Sequence, residues 1–186
     1  PREKYLTGLM EIHRPFTDTK SDHFIVRTPA EDAFLGRYAL PSLESAYGRV
    51  AEFFGSSPTF PSVIEIYPTL DAFTFATSIP KEDVEQTGSV VASRYGRIMI
   101  LSPGATPFGY RWLDEMVHDY VHQQLNRVSG GNGPAWLQEG TARYFEVAWR
   151  RPEGFIHSPS ERALLTRAVL SATGTAGGLL PFEAME

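Results

Sequence analysis

A chain of 186 residues with 17 Lys and Arg against 22 Asp and Glu carries a formal net charge of −5, which gives no electrostatic reason to expect nucleic acid or an anionic membrane surface as a partner. Its 42% hydrophobic and 12% aromatic content supports a buried core rather than disorder, and the length suits one domain or one domain and a fragment. No apolar run approaches the roughly 18 residues of a membrane-spanning helix, and zero Cys removes disulfides, thiolate metal ligands and cysteine nucleophiles together.

The chain opens on Pro1 without an initiator Met or signal sequence, so it reads as an excised piece of a longer protein. Residues 1–20 are mixed and polar, with Pro15 and no clear period, and are expected to form an N-terminal arm or a weakly paired strand. His23-Phe24-Ile25-Val26-Arg27 is a short β-rich run. Thr28-Pro29-Ala30-Glu31 then combines a capping box with Pro at the first helical position. The helical pattern that follows, to about Gly55, is interrupted by Pro41, which should break or kink it.

Ser62-Val63-Ile64-Glu65-Ile66-Tyr67 reads as a buried strand, and Thr69 caps a short helix to about Ser78. Val90 to Tyr95 and Arg97 to Leu101 are strands around Gly96, either a hairpin or a bulged edge. Residues 102–110, with two Pro and two Gly, form a loop. Helices are expected over Tyr110 to Val128, stopped by Gly130-Gly131, and over Pro134 to about Arg150. Ser158-Pro159-Ser160-Glu161 repeats the capping box before a third helix to about Ala172, followed by the Gly-rich residues 173–178. Strands and helices come first and helices alone afterwards. That segregation predicts an α+β fold, a small mixed β-sheet with N-terminal helices followed by a helical half, with residues 21–186 as one domain.

His118 and His122 are the most informative residues. Histidines at i and i+4 lie one above the other on a helix face, close enough to share one tetrahedral metal ion. On a helical wheel, Glu115, Asp119, His122 and Asn126 fall within about 100° of His118. Val117, Val121, Leu125 and Val128 occupy the opposite, apolar side. Glu139, on the next predicted helix, is placed to turn back as a third ligand. Two His and a Glu with one position left for water form the ligand set of a catalytic zinc site. The run His118-Asp119-Tyr120-Val121-His122 departs from H-E-x-x-H at one residue: Asp119 occupies the position of the general-base Glu.

Together with Trp136-Leu137-Gln138-Glu139-Gly140-Thr141-Ala142-Arg143-Tyr144-Phe145-Glu146, this segment resembles the peptidase MA-like domain, a bacterial gluzincin family of zinc metallopeptidases. The resemblance extends over residues 21–146, including Ser21-Asp22-His23-Phe24-Ile25-Val26 as a first strand. Gly96-Arg97-Ile98-Met99-Ile100-Leu101-Ser102-Pro103 resembles the edge strand that precedes the zinc helix. It implies a zincin-like fold with Zn2+ held by His118, His122 and Glu139, and peptide hydrolysis through a metal-activated water with Asp119 as base. It also implies a peptide or protein substrate added as a strand along Arg97, Ile98, Met99, Ile100 and Leu101, and a periplasmic or secreted setting.

Asp is shorter than Glu by one C–C bond, roughly 1.5 Å, and displacing a catalytic group by about 1 Å costs on the order of 100-fold. Three readings therefore stand side by side: a metallopeptidase with an impaired base, a pseudo-peptidase that keeps the site for binding without turnover, and a purely structural scaffold, with or without metal, that serves neighbouring domains of a longer protein. Where thermolysin-like relatives place a carboxylate beside a ligand His, position 143 is Arg. Glu146, on the same helix face as Glu139, is the candidate outer partner of a histidine, and Tyr144 is an available oxyanion donor. His13, His23 and His157 lack ligand spacing and read as structural or exposed. The ending Leu179-Leu180-Pro181-Phe182, without polar closure, suggests that the helical half is incomplete.

Overall fold

Five short segments, three of them rich in buried apolar residues, build one sheet in the computed structural model, which describes residues 2–147, 149–151 and 156–172. Its strands are β1 (Phe16–Lys20), β2 (Phe24–Pro29), β3 (Ser62–Tyr67), β4 (Val91–Arg94) and β5 (Arg97–Leu101). Their order is β1-β2-β3-β5-β4, with β2, β3 and β5 parallel and antiparallel β1 and β4 on the two edges. Parallel neighbours require crossovers. The long helix α2 (Ala33–Phe54), preceded by α1 (Arg2–His13) near the N-terminus, carries the chain from β2 to β3. Helices α3 (Leu70–Thr77) and α4 (Lys81–Thr87), with β4, carry it on to β5. The rest of the described chain is helical: α5 (Trp112–Ser129), α6 (Ala135–Phe145) and α7 (Pro159–Ala172). The fold is the mixed α+β arrangement expected.

Alternation sorts the core into two layers. Phe24, Val26, Ile64, Ile66, Ile98 and Ile100 face α2 and α5, whose Leu43, Val50, Val117 and Val121 complete one cluster. Tyr67, Met99 and Leu101 face the other way, against Phe73, Ala76 and Val84 of α3 and α4. Glu65 shares this second face and is fully buried. Tyr67 and Arg97 donate hydrogen bonds to its carboxylate, each at 2.8 Å, with Arg27 Nη1 at 3.6 Å and His13 Nε2 at 3.7 Å.

Several expectations change. Of the two alternatives for residues 1–20, the strand holds for Phe16–Lys20, which pairs along its whole length with β2, while Arg2–His13 is a helix that packs Leu9 and Ile12 on the second core layer. The capping box at Thr28 does not form, because Thr28 is buried in β2 and a 3₁₀ turn over Ala30–Asp32 precedes α2 without a side-chain cap. The helix α2 runs through Pro41 unbroken. Pro41 is on the exposed side, where the carbonyl freed four residues earlier, at exposed Arg37, is within reach of water.

The strand expected at the edge is not there. Arg97–Leu101 pairs with β3 on one side and β4 on the other, so its ladder groups are taken and strand addition along Arg97, Ile98, Met99, Ile100 and Leu101 is excluded. The edge belongs to β4, joined to β5 through Tyr95 and Gly96 at φ 54° and 73°. Two successive positive φ values are those of a type I′ hairpin turn. The caps at Thr69 and Ser158 do form: Thr69 Oγ1 accepts from Ala72 N–H, and Ser158 and Glu161 exchange bonds across the start of α7. Residues 173–186, including the Gly-rich stretch and Leu179-Leu180-Pro181-Phe182, lie outside the described residues.

Candidate metal centre

The apolar stripe of α5 decides where its polar side points. Met116, Val117, Tyr120 and Val121 are buried against the sheet, with the Tyr120 ring edge-on to Phe24 at 5.0 Å between centroids. That docking turns Glu115, His118, Asp119 and His122 into a cavity of about 360 Å³, whose remaining walls are residues 88–91 and Glu139. Helix α6, anchored by buried Ala142 and Phe145, brings Glu139 across from the histidines.

Three groups converge. His118 Nε2 and His122 Nε2 are 3.0 Å apart, and the Glu139 carboxylate lies 3.5 Å from the first and 3.4 Å from the second. Ligands about 2.0–2.1 Å from a tetrahedral zinc are separated by edges of about 3.3–3.4 Å. His118 faces Oε2 of Glu139 and His122 faces Oε1, so the two carboxylate distances do not meet at one ligand atom; with one atom from each residue the donors lie within 4.8 Å of one another, a spacing that a metal ion can draw together by local adjustment. His118 turns Nε2 to the cluster while its Nδ1 lies 3.1 Å from Glu146 Oε2. If Nδ1 carries the proton, that contact leaves an Nε2 lone pair facing Glu139 and His122. Arg143 pairs with the other oxygen of Glu146 and fixes that carboxylate in turn.

Asp119 is held separately. Ser93 Oγ, on the edge strand β4, donates to Asp119 Oδ1 at 3.0 Å. Burial pushes the Asp119 carboxyl up to about 6, against the opposing pull of the Ser93 hydrogen bond and the His118 charge. Burial also raises Glu115. For His118, burial acts downward but is outweighed by the hydrogen bond to Glu146 and the nearby carboxylates, so its pKa lies above the ordinary value. Burial and the charge of His118 lower His122. Without a cation the two imidazoles thus divide the roles: His118 holds a proton more tightly and His122 less.

Tyr144 is a correction. Five residues after Glu139, it emerges on the far side of α6 and borders an apolar hollow with Phe53, Trp136 and Leu137, away from the histidines. It is not among the residues that line the histidine cavity. Of the other histidines, His13 approaches Tyr67 and Glu65. His23 contacts Glu44 at 2.7 Å and stacks on Tyr47, also outside the cluster. Sequence reasoning missed Ser93, although a signal existed. The two-residue turn sets Ser93 opposite Ile98, and alternation then puts it on the face covered by α5. No family model matches the chain, and no curated protein matches it.

Proposed function

We propose that the chain is a zinc-dependent metallopeptidase domain of the gluzincin type. The observation that carries this reading is the convergence of His118, His122 and Glu139, whose donor atoms all lie within 4.8 Å of one another. When bound, a zinc ion would polarise the scissile carbonyl and lower the pKa of a water beside it. Histidines 118 and 122 contribute neutral nitrogens, and Glu146 orients the first of them. Asp119 takes the proton from the water: with Oδ1 held by Ser93, its second oxygen is left to act as the acceptor. The outer side of β4 is a sheet edge, with the Val91 carbonyl already accepting from Ser89 Oγ at 3.3 Å and the backbone of Ser93 facing outward for an extended peptide, and residues 88–91 line the cavity wall.

One observation favours a second reading, in which peptide is bound without turnover. Asp119 is short for its task, and one of its oxygens is already engaged. General-base assistance is worth roughly 10²–10⁴ in rate, so a base that cannot reach would leave binding intact and hydrolysis near background.

Zinc analysis of protein purified without added metal, followed by hydrolysis of casein and a mixed peptide library by wild type, Asp119→Glu and Asp119→Asn, separates the two. Peptidase function predicts about one zinc per chain and chelator-sensitive cleavage lost in Asp119→Asn. The binding-only reading predicts zinc with no cleavage until Asp119→Glu restores the longer arm. Absence of zinc from wild type sinks both.

A further inference from the structure

A second cavity, of about 530 Å³, shares no wall residue with the metal cleft and is lined in part by Arg111, Arg143, Arg150, Arg151 and Arg162. The protein is acidic overall, so five arginines around one hollow are a local reversal of its charge. Two of them are neutralised in place. Arg150 binds Asp114 at 2.6 Å, and Arg143 pairs with Glu146 and Glu161. The other three, Arg111, Arg151 and Arg162, form no ion pair among the described residues. Glu161 is the one carboxylate in the described wall, and it is committed to Arg143 and to the cap of α7. Among the described lining residues guanidinium groups outnumber carboxylates; like charges so gathered repel, and a concave wall focuses their field on an incoming anion. Planar guanidinium forks suit a carboxylate or phosphate, which they can hold through paired N–H bonds.

The position of the hollow relates it to the metal cluster. Arg143 lies one helical turn beyond Glu139 on α6, a rise of about 6 Å. Arg111 lies one turn before Glu115, which lines the metal cavity, and its carbonyl accepts the Glu115 N–H at 3.0 Å. Extended peptide advances about 3.3–3.6 Å per residue, so a chain at the metal presents groups two or three residues away to the arginines.

We propose that the arginine-lined cavity is a subsite for an oxyanion, the free C-terminal carboxylate of a peptide whose chain ends two or three residues past the metal. The identity of the ligand as a peptide rests on the metallopeptidase reading; the recognition of an anion does not. Cleavage would then be directed to peptide ends.

The test is calorimetric titration of the whole chain in excess chelator with three probes: N-acetyl-tetraalanine, its C-terminal amide, and inorganic phosphate. The free acid is expected to bind at least tenfold more tightly than the amide, with phosphate competing for the acid alone. The double variant Arg111→Gln/Arg151→Gln, at an exposed and a half-buried position, should erase the difference, and Arg162→Gln alone should reduce it should the double variant fold poorly. Zinc affinity should be unchanged in all of them. Equal binding of acid and amide, or a preference that survives both variants, overturns the subsite. Phosphate binding that needs these arginines, with no preference for the acid, identifies a free-phosphate site and also overturns the peptide-end assignment. Because the peptide and phosphate titrations depend on neither zinc nor turnover, a protein that lacks both but keeps the acid preference loses the metallopeptidase reading and retains the anion site.

Discussion

Removing the charge of Asp119 should stabilise the metal-free protein while harming the function proposed for it. Burial lifts the Asp119 pKa from an ordinary 3.8 to about 6. A folded-state pKa above the unfolded one means that the folded chain binds the proton more tightly. The associated stability is therefore fully present below about pH 4 and is lost as pH rises through about 6. At 1.36 kcal/mol per pKa unit, keeping this carboxylate ionised at pH 8 costs roughly 3 kcal/mol, an upper figure because Ser93 and His118 respond to the change. Asp119→Asn keeps the shape and a hydrogen-bonding oxygen for Ser93 but has no proton to lose. Urea denaturation of both proteins in chelator, at pH 4, 6 and 8, should show a stability gap that grows with pH in favour of the variant. Saturating zinc should shrink the gap, because a cation beside the carboxylate favours its ionised form. A gap that is constant from pH 4 to 8 would refute the assignment of Asp119 as a strained, desolvated carboxylate.

Three further outcomes are expected. His118→Ala should lower bound zinc from about one per chain to background by elemental analysis; retention of full zinc would mean that the metal lies elsewhere. Glu146→Gln removes the partner of His118 Nδ1 and should weaken zinc roughly 10–100-fold. In wild type, zinc affinity should fall as pH drops through the raised His118 pKa, since the ligand must shed its proton, and competition titrations with a chromogenic chelator at pH 6 and 8 read both effects. Glu65→Gln leaves Arg97 and its neighbours without a buried counter-charge and should destabilise the fold by about 3–5 kcal/mol with zinc affinity unchanged. A loss under about 1 kcal/mol in urea would show that the ion network is dispensable.

The parts of the fold that were legible in the sequence are those written in local chemistry. The caps at Thr69 and Ser158, the glycine stop after α5 and the helical face shared by His118 and His122 depend on neighbours within a turn or two, and all are visible in the residue order. The edge strand was misassigned by following family likeness over pattern. Ile98-Met99-Ile100-Leu101 is continuously apolar and fully buried, which is how a strand covered on both faces reads. Val91-Ala92-Ser93-Arg94 is short and half-polar, the usual composition of an edge. In β1, Phe16-Thr17-Asp18-Thr19-Lys20 has one large apolar residue, and α1 buries none of its own completely, so neither leaves a period to detect. Helix α6 ends at Phe145 rather than near Arg150 for a tertiary reason. Trp149 and Arg150 both donate to Asp114 on α5, and Ser45 on α2 donates to the Trp149 carbonyl, contacts among residues far apart in the chain.

The energetics of the cluster bear on what it is for. A helix packed only for stability would bring apolar residues to the floor of a hollow, because burying carboxylates and imidazoles without a cation costs free energy. Here one helix brings Glu115, His118, Asp119 and His122 to the same hollow, and burial disfavours the ionised form of each. Two elements then supply contacts to this arrangement: α6, through Glu139 in its middle and Arg143 and Glu146 at its end, and β4, through Ser93. Strained ionisable groups that are nevertheless oriented by dedicated partners mark functional sites more often than structural ones. The Ser93 contact is the most telling of these, since a surface carboxylate needs no tether. Fixing one oxygen of Asp119 restricts where the other can point, which matters most in the role of base proposed for it, since its arm is one methylene shorter than that of Glu.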